Sequence, residues 1–392
     1  MSLLTTLLWG AALFFLVGSG LPLLGSDHWT VRLFDYPRVQ IAMGSAATLG
    51  GLLALGPTTL VEYGLLGLLA VALVYQVDCI LPYTPLAARQ VEGAAATDGA
   101  DRLSLLICNV EMDNRNPDPL LDQIAEAAPD VVLLLEVDGW WREHLAPLAD
   151  AYPHTVERPQ ENAYGMALYA RRPLEEAEVR YLVEDDVPSI HARLSLASGR
   201  VVSVHGLHPR PPHPTRDPDT TERDAELIHL ARTLQDHDEP TIVAGDLNDV
   251  SWSYTTRLFQ NLSGLLDPRI GRGLYSTFHA RYPLFRYPLD HAFHSSHFKL
   301  RALQVLSYVG SDHFPVYIDL QYEPAAPLDQ PEPTADAADE AQAEHELDKL
   351  RQKHRANPDS SHESLMSCRR LTPPAHRPPF ASSFRTLPTK PI

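Results

Sequence analysis

Thr241-Ile242-Val243-Ala244-Gly245-Asp246-Leu247-Asn248 is the stretch whose reading decides the fold. Its first four residues are β-branched or small and apolar, the composition of a fully buried strand, and Gly245, Asp246 and Asn248 then supply the residue types that break a strand into a turn. An acid and an amide are thus delivered to a strand end, the edge at which layered α/β domains bind ligands. The pattern recurs on both sides of this stretch. Apolar runs at 103–108, 131–135 and 201–206 lead to Asn109, Glu136 and His208, while Asp290 opens a run at 290–294 and Asp312-His313 precede one at 316–320. Residues 164–169 and 190–196 read as further strands, and 118–128, 221–235 and 252–260 as helices. The runs 190–196 and 201–206, joined through Ser198-Gly199, predict a hairpin and so mixed or antiparallel sheets, not a doubly wound parallel one.

Taken together, Cys108-Asn109-Val110, Pro129-Asp130-Val131 through Leu135-Glu136-Val137, Gly206-Leu207-His208-Pro209, Gly245-Asp246-Leu247-Asn248, Pro288-Leu289-Asp290-His291 and Gly310-Ser311-Asp312-His313-Phe314-Pro315-Val316 resemble the motifs of the endonuclease/exonuclease/phosphatase superfamily, in that family's order. This group includes pancreatic-type deoxyribonuclease, abasic-site endonucleases, neutral sphingomyelinases and inositol-polyphosphate 5-phosphatases. The resemblance implies a four-layer α/β sandwich of two packed sheets. It also implies hydrolysis of a phosphate ester with Mg²⁺, Mn²⁺ being the alternative ion. Hard oxygen donors would come from Asn109 and Glu136, with Asp312 completing the metal or water network. His313 would serve as general base or electrostatic clamp with Asp290 fixing its ring, Asp246 would orient the attacking water, and Asn248 would donate to a phosphoryl oxygen. His208 stands where the deoxyribonuclease and phosphatase branches carry histidine and the abasic-site endonucleases tyrosine, which leans against the latter.

Each residue taken singly has a plainer explanation: Asp246 and Asn248 as turn formers, Asn109 and Glu136 as solvated loop residues, His208 as a loop histidine. Their joint occurrence in order is what favours a site. Asn162 is weighed as a residue that orients His208, and Arg210 and Arg223 as phosphate contacts against the plainer reading of salt bridges. Trp140, Trp141 and Trp252 are expected in packing, as is His205. The histidine groups 205/208/213 and 291/294/297 do not make a zinc site, because a spacing of three along a strand points side chains to opposite faces and no cysteine accompanies them. Cys108 reads as a small buried hydrophobe, and Cys79, Cys108 and Cys368 imply no disulfide framework.

The chain divides into an apolar region at 1–81, a linker at 82–100, the α/β domain at 101–322 and a tail at 323–392. In the first of these, residues 1–26 carry no charge, 39–61 are apolar except for Gln40 and rich in glycine, and a third stretch begins at Tyr63. These read as three membrane helices, making the chain a multi-pass protein of the cell membrane. Arg32 and Arg38 place the first loop, and through it the C-terminal domain, on the cytoplasmic side, but Asp27 and Asp35 in the same loop leave the side undecided. The tail, dominated at first by Pro, Ala, Asp and Glu, is expected to be disordered, with a charged solvated helix at 340–356. A fragment starting near Leu103 is expected to fold alone.

The formal charge of −18 is concentrated in the α/β domain, where residues 100–322 hold roughly 33 acids against 20 bases. No basic stripe is present, which argues against strong binding to duplex DNA and favours a lipid head group or small phosphate ester as substrate, with the bilayer as partner. The competing class is a catalytically silent, membrane-anchored binding module of the same fold. Such a module would be expected to have lost part of the acid, amide and histidine set, and none is missing. Oligomeric state is not legible.

Overall fold

The computed structural model describes residues 2–95, 101–212, 218–235 and 239–356. In chain order the helices are α1 (Leu3–Gly20), α2 (Trp29–Arg32), α3 (Arg38–Leu55), α4 (Leu60–Ile80), α5 (Asp118–Ala127), α6 (Gly139–His144), α7 (Thr221–Gln235), α8 (Tyr254–Ser263) and α9 (Ala337–Ala356). The strands are β1 (Arg102–Asn109), β2 (Val131–Leu135), β3 (His154–Arg158), β4 (Met166–Ala170), β5 (Leu174–Arg180), β6 (Ser189–Ser195), β7 (Val201–Leu207), β8 (Thr241–Asp246), β9 (Asp290–His294), β10 (Phe298–Val305) and β11 (Val316–Tyr322). They form a six-stranded sheet in the order β10-β11-β1-β2-β4-β3 and a five-stranded sheet in the order β5-β6-β7-β8-β9. Both are mixed: β1 runs parallel to β2 and β7 to β8, while the remaining pairs are antiparallel. The expected hairpin is β6–β7, with Gly199 at φ +83° in its turn.

Strand alternation builds the layers. Leu105, Ile107, Leu133 and Leu168 face Ile190, Val204, Ile242 and Ala244 between the sheets. The alternate residues Leu106, Cys108, Val132 and Leu134 turn outward onto Leu120 and Ile124 of α5 and Trp141 of α6. On the other flank Val243 and Phe293 meet α7, α8 and α9. This is the four-layer α/β sandwich, and Cys108 is a fully buried core residue in it.

Three helical segments, Leu3–Leu24, Arg38–Leu55 and Leu60–Tyr83, are long and apolar enough to span a membrane. They pack through small residues: a side chain at Gly44 would collide with the ring of Phe15. The first loop folds back onto the α/β domain. Trp252 donates its indole N–H to the Asp35 carbonyl at 2.7 Å, Tyr36 donates its hydroxyl to the Asn248 carbonyl at 2.8 Å, and Arg32 pairs with buried Asp224 at 3.1 Å. Loop and domain therefore lie at the same end of the helical unit, as the two helices between them, α3 and α4, require.

The structure departs from the expected boundaries at both ends of the domain. Part of the linker packs as a strap: Val91 is fully buried, and residues 92 and 94 exchange backbone hydrogen bonds with Leu300 of β10. The start of the tail is ordered, with the Gln330 amide donating to the carbonyls of Ser296 and Phe298. The helix expected to be solvated is α9, which buries Ala343, Leu347 and Leu350 against the outer face of the second sheet's helices. Its apolar residues are spaced four and three apart, one stripe in an otherwise charged sequence, and the composition hid it. The rest of the tail lies outside the described residues. Strands β3 and β5 and helix α6 are short or carry few apolar residues, and β10 breaks its apolar alternation at a register shift between Leu300 and Ala302, so no regular apolar run marks these elements in the sequence.

Two outcomes follow from this packing. A fragment beginning at Leu103 lacks the strap and the first loop, so it should show weakened near-UV circular dichroism and an unfolding midpoint well below that of the domain in the full chain; equal midpoints would show that these contacts add nothing. Glu226 of α7 is 1 % exposed, its Oε1 has no partner among the described residues, and burial, with Glu184 nearby, pushes its carboxyl up to about 8. Between an unfolded value of about 4.3 and that folded value the native state holds the extra proton, so stability falls as pH rises. Glu226→Gln should remove that fall, its advantage growing across the window by up to about 1.4 kcal/mol per pH unit; a difference independent of pH would refute it.

Candidate active site

The functional side chains arrive from both sheets at one edge. Asn109 ends β1 and Glu136 follows β2 in the first sheet, and Asp312 and His313 precede β11. From the second sheet, His208 follows β7, Asp246 ends β8 and Asp290 opens β9. Gly245 is required where it stands, at φ +144°, since any side chain there would strike the Leu207 carbonyl of β7. Glu136 and Asn248 both take left-handed backbone, at φ +61° and +51°. For non-glycine residues that conformation marks a tight, over-determined turn.

Hydrogen bonds then cross between the sheets. Asn109 Nδ2 donates to Glu136 Oε1 at 2.9 Å and to Asp246 Oδ2 at 3.2 Å, while its Oδ1 accepts from the Glu111 amide at 3.0 Å. Asn109 thus presents nitrogen, not oxygen, to the carboxylates, and sits as a spacer between Glu136 and Asp246. The His313 ring lies between two acids, Nδ1 at 2.7 Å from Asp290 Oδ2 and Nε2 at 3.4 Å from Asp246 Oδ2. Its own amide donates to Ser311 Oγ, whose hydroxyl donates to the Asn109 carbonyl. His208 Nε2 stands 3.7 Å from the same Asp246 oxygen, with the Tyr164 ring beside it. Asn248 donates an amide hydrogen to the Pro209 carbonyl, and its backbone N–H caps Asp246 Oδ1 at 2.9 Å.

Burial makes this electrostatics strong. Desolvation alone would discharge the His313 imidazolium, but Asp290 and Asp246, with Asp312 beside them, outweigh it and hold the ring at about 10. The Asp312 carboxyl is pushed up to about 6 by burial and then by Glu111, Glu136 and Asp246, against the pull of His313. Asp246 is likewise raised by burial, with Asp290 adding to it and His313 opposing. An acid cluster of this kind calls for a cation. Glu136, Asp312 and their neighbour Glu111 offer hard carboxylate oxygens, the donor type that suits Mg²⁺ or Mn²⁺, so the residues fit such an ion. Asp246, Asp290 and His313 also lie within metal-binding distance of one another. There both ring nitrogens already face carboxylates, and that trio is better suited to hold a proton.

The family model for the endonuclease/exonuclease/phosphatase family matches residues 106–313, more than half of the chain. The chain belongs to this family. Similar solved structures include a humanized TDP2 of D. rerio, at 20% identity over 56% of this chain and 99% of that one with a TM-score of 0.46. The human Nocturnin catalytic domain is matched at 20% identity over 58% and 97%, also with a TM-score of 0.46. An endonuclease/exonuclease/phosphatase from Beutenbergia cavernae is matched at 21% identity over 57% and 72%, with a TM-score of 0.44. No curated protein matches.

All eight residues singled out in the sequence therefore fall at one edge of this family fold. Two others had no motif to reveal them. Glu111 accepts from the Asp312 amide and pairs with Arg281, and Phe278 lays its ring 4.9 Å from His313. The secondary candidates are placed elsewhere or given structural roles. Asn162 is exposed and donates to the Asp186 carbonyl, not to His208. Arg223 is 2 % exposed, bound to Asp224 and Asp249, and donates to the Asn248 carbonyl, so it supports the loop that follows β8. Arg210 is held by Glu184 and Asp186 and lies over Tyr164 at the rim. His205 pairs with His191 across the hairpin, His291 with Arg269, and His294 with the Ser295 carbonyl, which leaves no shared zinc centre among the described histidines. His213 lies outside the described residues.

Proposed function

We propose that the chain is a divalent-metal-dependent phosphoesterase that cleaves its ester at a membrane surface by in-line attack of a water. Members of the family hydrolyse phosphoesters. The observation that carries the reading for this chain is the His313 imidazolium seated between Asp290 and Asp246 at an edge lined by Glu136 and Asp312. The three helices long enough to span a membrane, and the first loop docked against the catalytic loop, carry the membrane part.

Asp246 is the group placed to orient and deprotonate the attacking water, because Oδ2 faces the edge between His208 and His313, with the Asn109 amide also donating to it, while Oδ1 is fixed by the Asn248 amide. A ring held at about 10 is charged at neutral pH. His313 therefore acts as a clamp that favours negative charge growing on the phosphoryl oxygens, and the base role lies with Asp246. Asp290 keeps that ring charged and oriented. His208 and the second amide hydrogen of Asn248 complete the donors around the same oxygens. Glu136 and Asp312 would hold Mg²⁺ or Mn²⁺, which when bound neutralises phosphate charge and stabilises the departing oxygen. With 33 acids to 20 bases in roughly the α/β domain, a compact phosphate ester presented at a bilayer suits the site better than duplex DNA followed along its backbone.

Full chain assayed with chromogenic phosphodiesters should lose turnover in excess chelator and in Glu136→Gln, the latter recovering at high Mg²⁺. Asp246→Asn and His313→Ala should each cost several powers of ten, roughly 10³ or more, and the double variant little beyond either alone. Multiplicative losses would show that the two act on different steps, and turnover indifferent to chelator would refute the metal.

A further inference from the structure

Between β8 and β9 the chain makes a protruding loop whose tip is apolar. Tyr282, Leu284 and Phe285 are 57 %, 78 % and 58 % exposed, on a domain whose other large apolar side chains are nearly all inside. The loop is not free to fold away. Its outer limb is fixed to the apolar helices, since Gln40, the third residue of α3, donates its amide to the Leu284 carbonyl at 2.8 Å. The Tyr287 ring meets Tyr36 edge-on at 5.6 Å, and Val39 packs into the same small core as Tyr287 and Phe278.

The inner limb is fixed to the catalytic edge. Ala280 N–H donates to the Asp312 carbonyl at 2.7 Å, Phe314 N–H donates to the Thr277 carbonyl at 3.1 Å, and the Phe278 ring lies against His313. At the two shoulders, Arg281 is held by Glu111 and the Gly310 carbonyl, and Arg286 lies over the Phe314 ring while donating to the Ala280 carbonyl. The apolar tip is thus pinned at the level where α3 begins, a few residues from the catalytic histidine.

We propose that residues 281–286 form a wedge that seats Tyr282, Leu284 and Phe285 in the same bilayer the helices cross, so that the ester reaching His313 is carried by an amphiphile held in that bilayer. This rests on the membrane reading above and names the substrate class of that same site. The occupant is set by continuity: the helix hydrogen-bonded to the tip is itself one of the spans, and exposed Leu33 and Leu86, in the segments entering α3 and leaving α4, lie among the same chain passages. Exposed aromatic and leucine side chains beside a polar domain are the usual contents of such an interface. The acid-rich domain gives no electrostatic pull toward anionic lipid, so contact must come from apolar burial and from the anchoring helices.

The test uses the full chain in phosphatidylcholine vesicles carrying a small fraction of a phospholipid with a diazirine in its acyl chain. After irradiation, tryptic peptide 282–286 should carry lipid adducts along with peptides from the three spans, and peptides from the exposed strand β5 should carry none. Labelled spans with an unlabelled 282–286 would overturn the wedge alone, and unlabelled spans would overturn the membrane reading as well. In parallel, hexadecyl 4-nitrophenyl phosphate embedded in the vesicles is compared with ethyl 4-nitrophenyl phosphate in solution, two diesters with the same reacting centre. Leu284→Ser with Phe285→Ser should lower kcat/KM on the embedded ester by about tenfold or more and leave the soluble ester unchanged. Equal loss on both esters, or loss on neither, would show that the tip does not present substrate and would overturn the proposal.

Discussion

A protonated imidazole between two buried carboxylates is the arrangement on which the rest of this structure depends. Asp290 and Asp246 come from adjacent strands of one sheet and His313 from the loop entering a strand of the other, so the charged trio exists only when both sheets are packed. Burying three ionisable groups is costly unless each finds its partner, and here each does, through contacts that cross the sandwich. The Asn109 amide joins Glu136 in one sheet to Asp246 in the other, and Ser311 ties the His313 loop back to β1. The same bonds that position the chemistry therefore register the two halves of the fold. Removing one partner leaves an unpaired buried charge, which is why losses at these positions should be large and not additive.

Loop 246–253 is supported by Arg223 of the α/β domain and by groups outside that domain. Tyr36 and Arg223 both donate to the Asn248 carbonyl, Tyr83 donates to the Ser251 carbonyl, and Trp252 reaches the Asp35 carbonyl. Asp224 receives Arg223 from its own helix and Arg32 from the first loop, and Lys349 of α9 closes on Asp27 of that loop. The first loop and the end of α4 thus pack against the domain as part of its structure. They supply one wall of the turn that aims Asp246 and Asn248, and the ordered start of the tail holds that wall in place.

Much of this was legible in the sequence where residue type and strand end coincide. Apolar runs closed by an acid, amide or histidine gave the sheets, their mixed character and all eight site positions, because a strand end leaves its next side chain little freedom of direction. Glu111 escaped notice because it follows Asn109 in a turn and looks like any exposed acid until the Asp312 amide and Arg281 close on it. Arg223 follows the plainer of its two readings, a salt bridge, and packing buries it against Asp224 and Asp249 where sequence alone suggested the surface. The strap at 91–94 and α9 were misjudged for one reason. Their stability lies in contacts with distant segments, β10 for the strap and α7 for the helix, and neither local propensity nor composition records such partners.

Hydrolysis in ¹⁸O-enriched water, with the full chain, Mg²⁺ and a phosphodiester bearing a good leaving group, tests the central claim most directly. Attack of an Asp246-oriented water on phosphorus predicts one ¹⁸O in the phosphate-bearing product and none in the released alcohol, with the signal lost in Asp246→Asn. Label in the alcohol, or undiminished incorporation in Asp246→Asn, would contradict it.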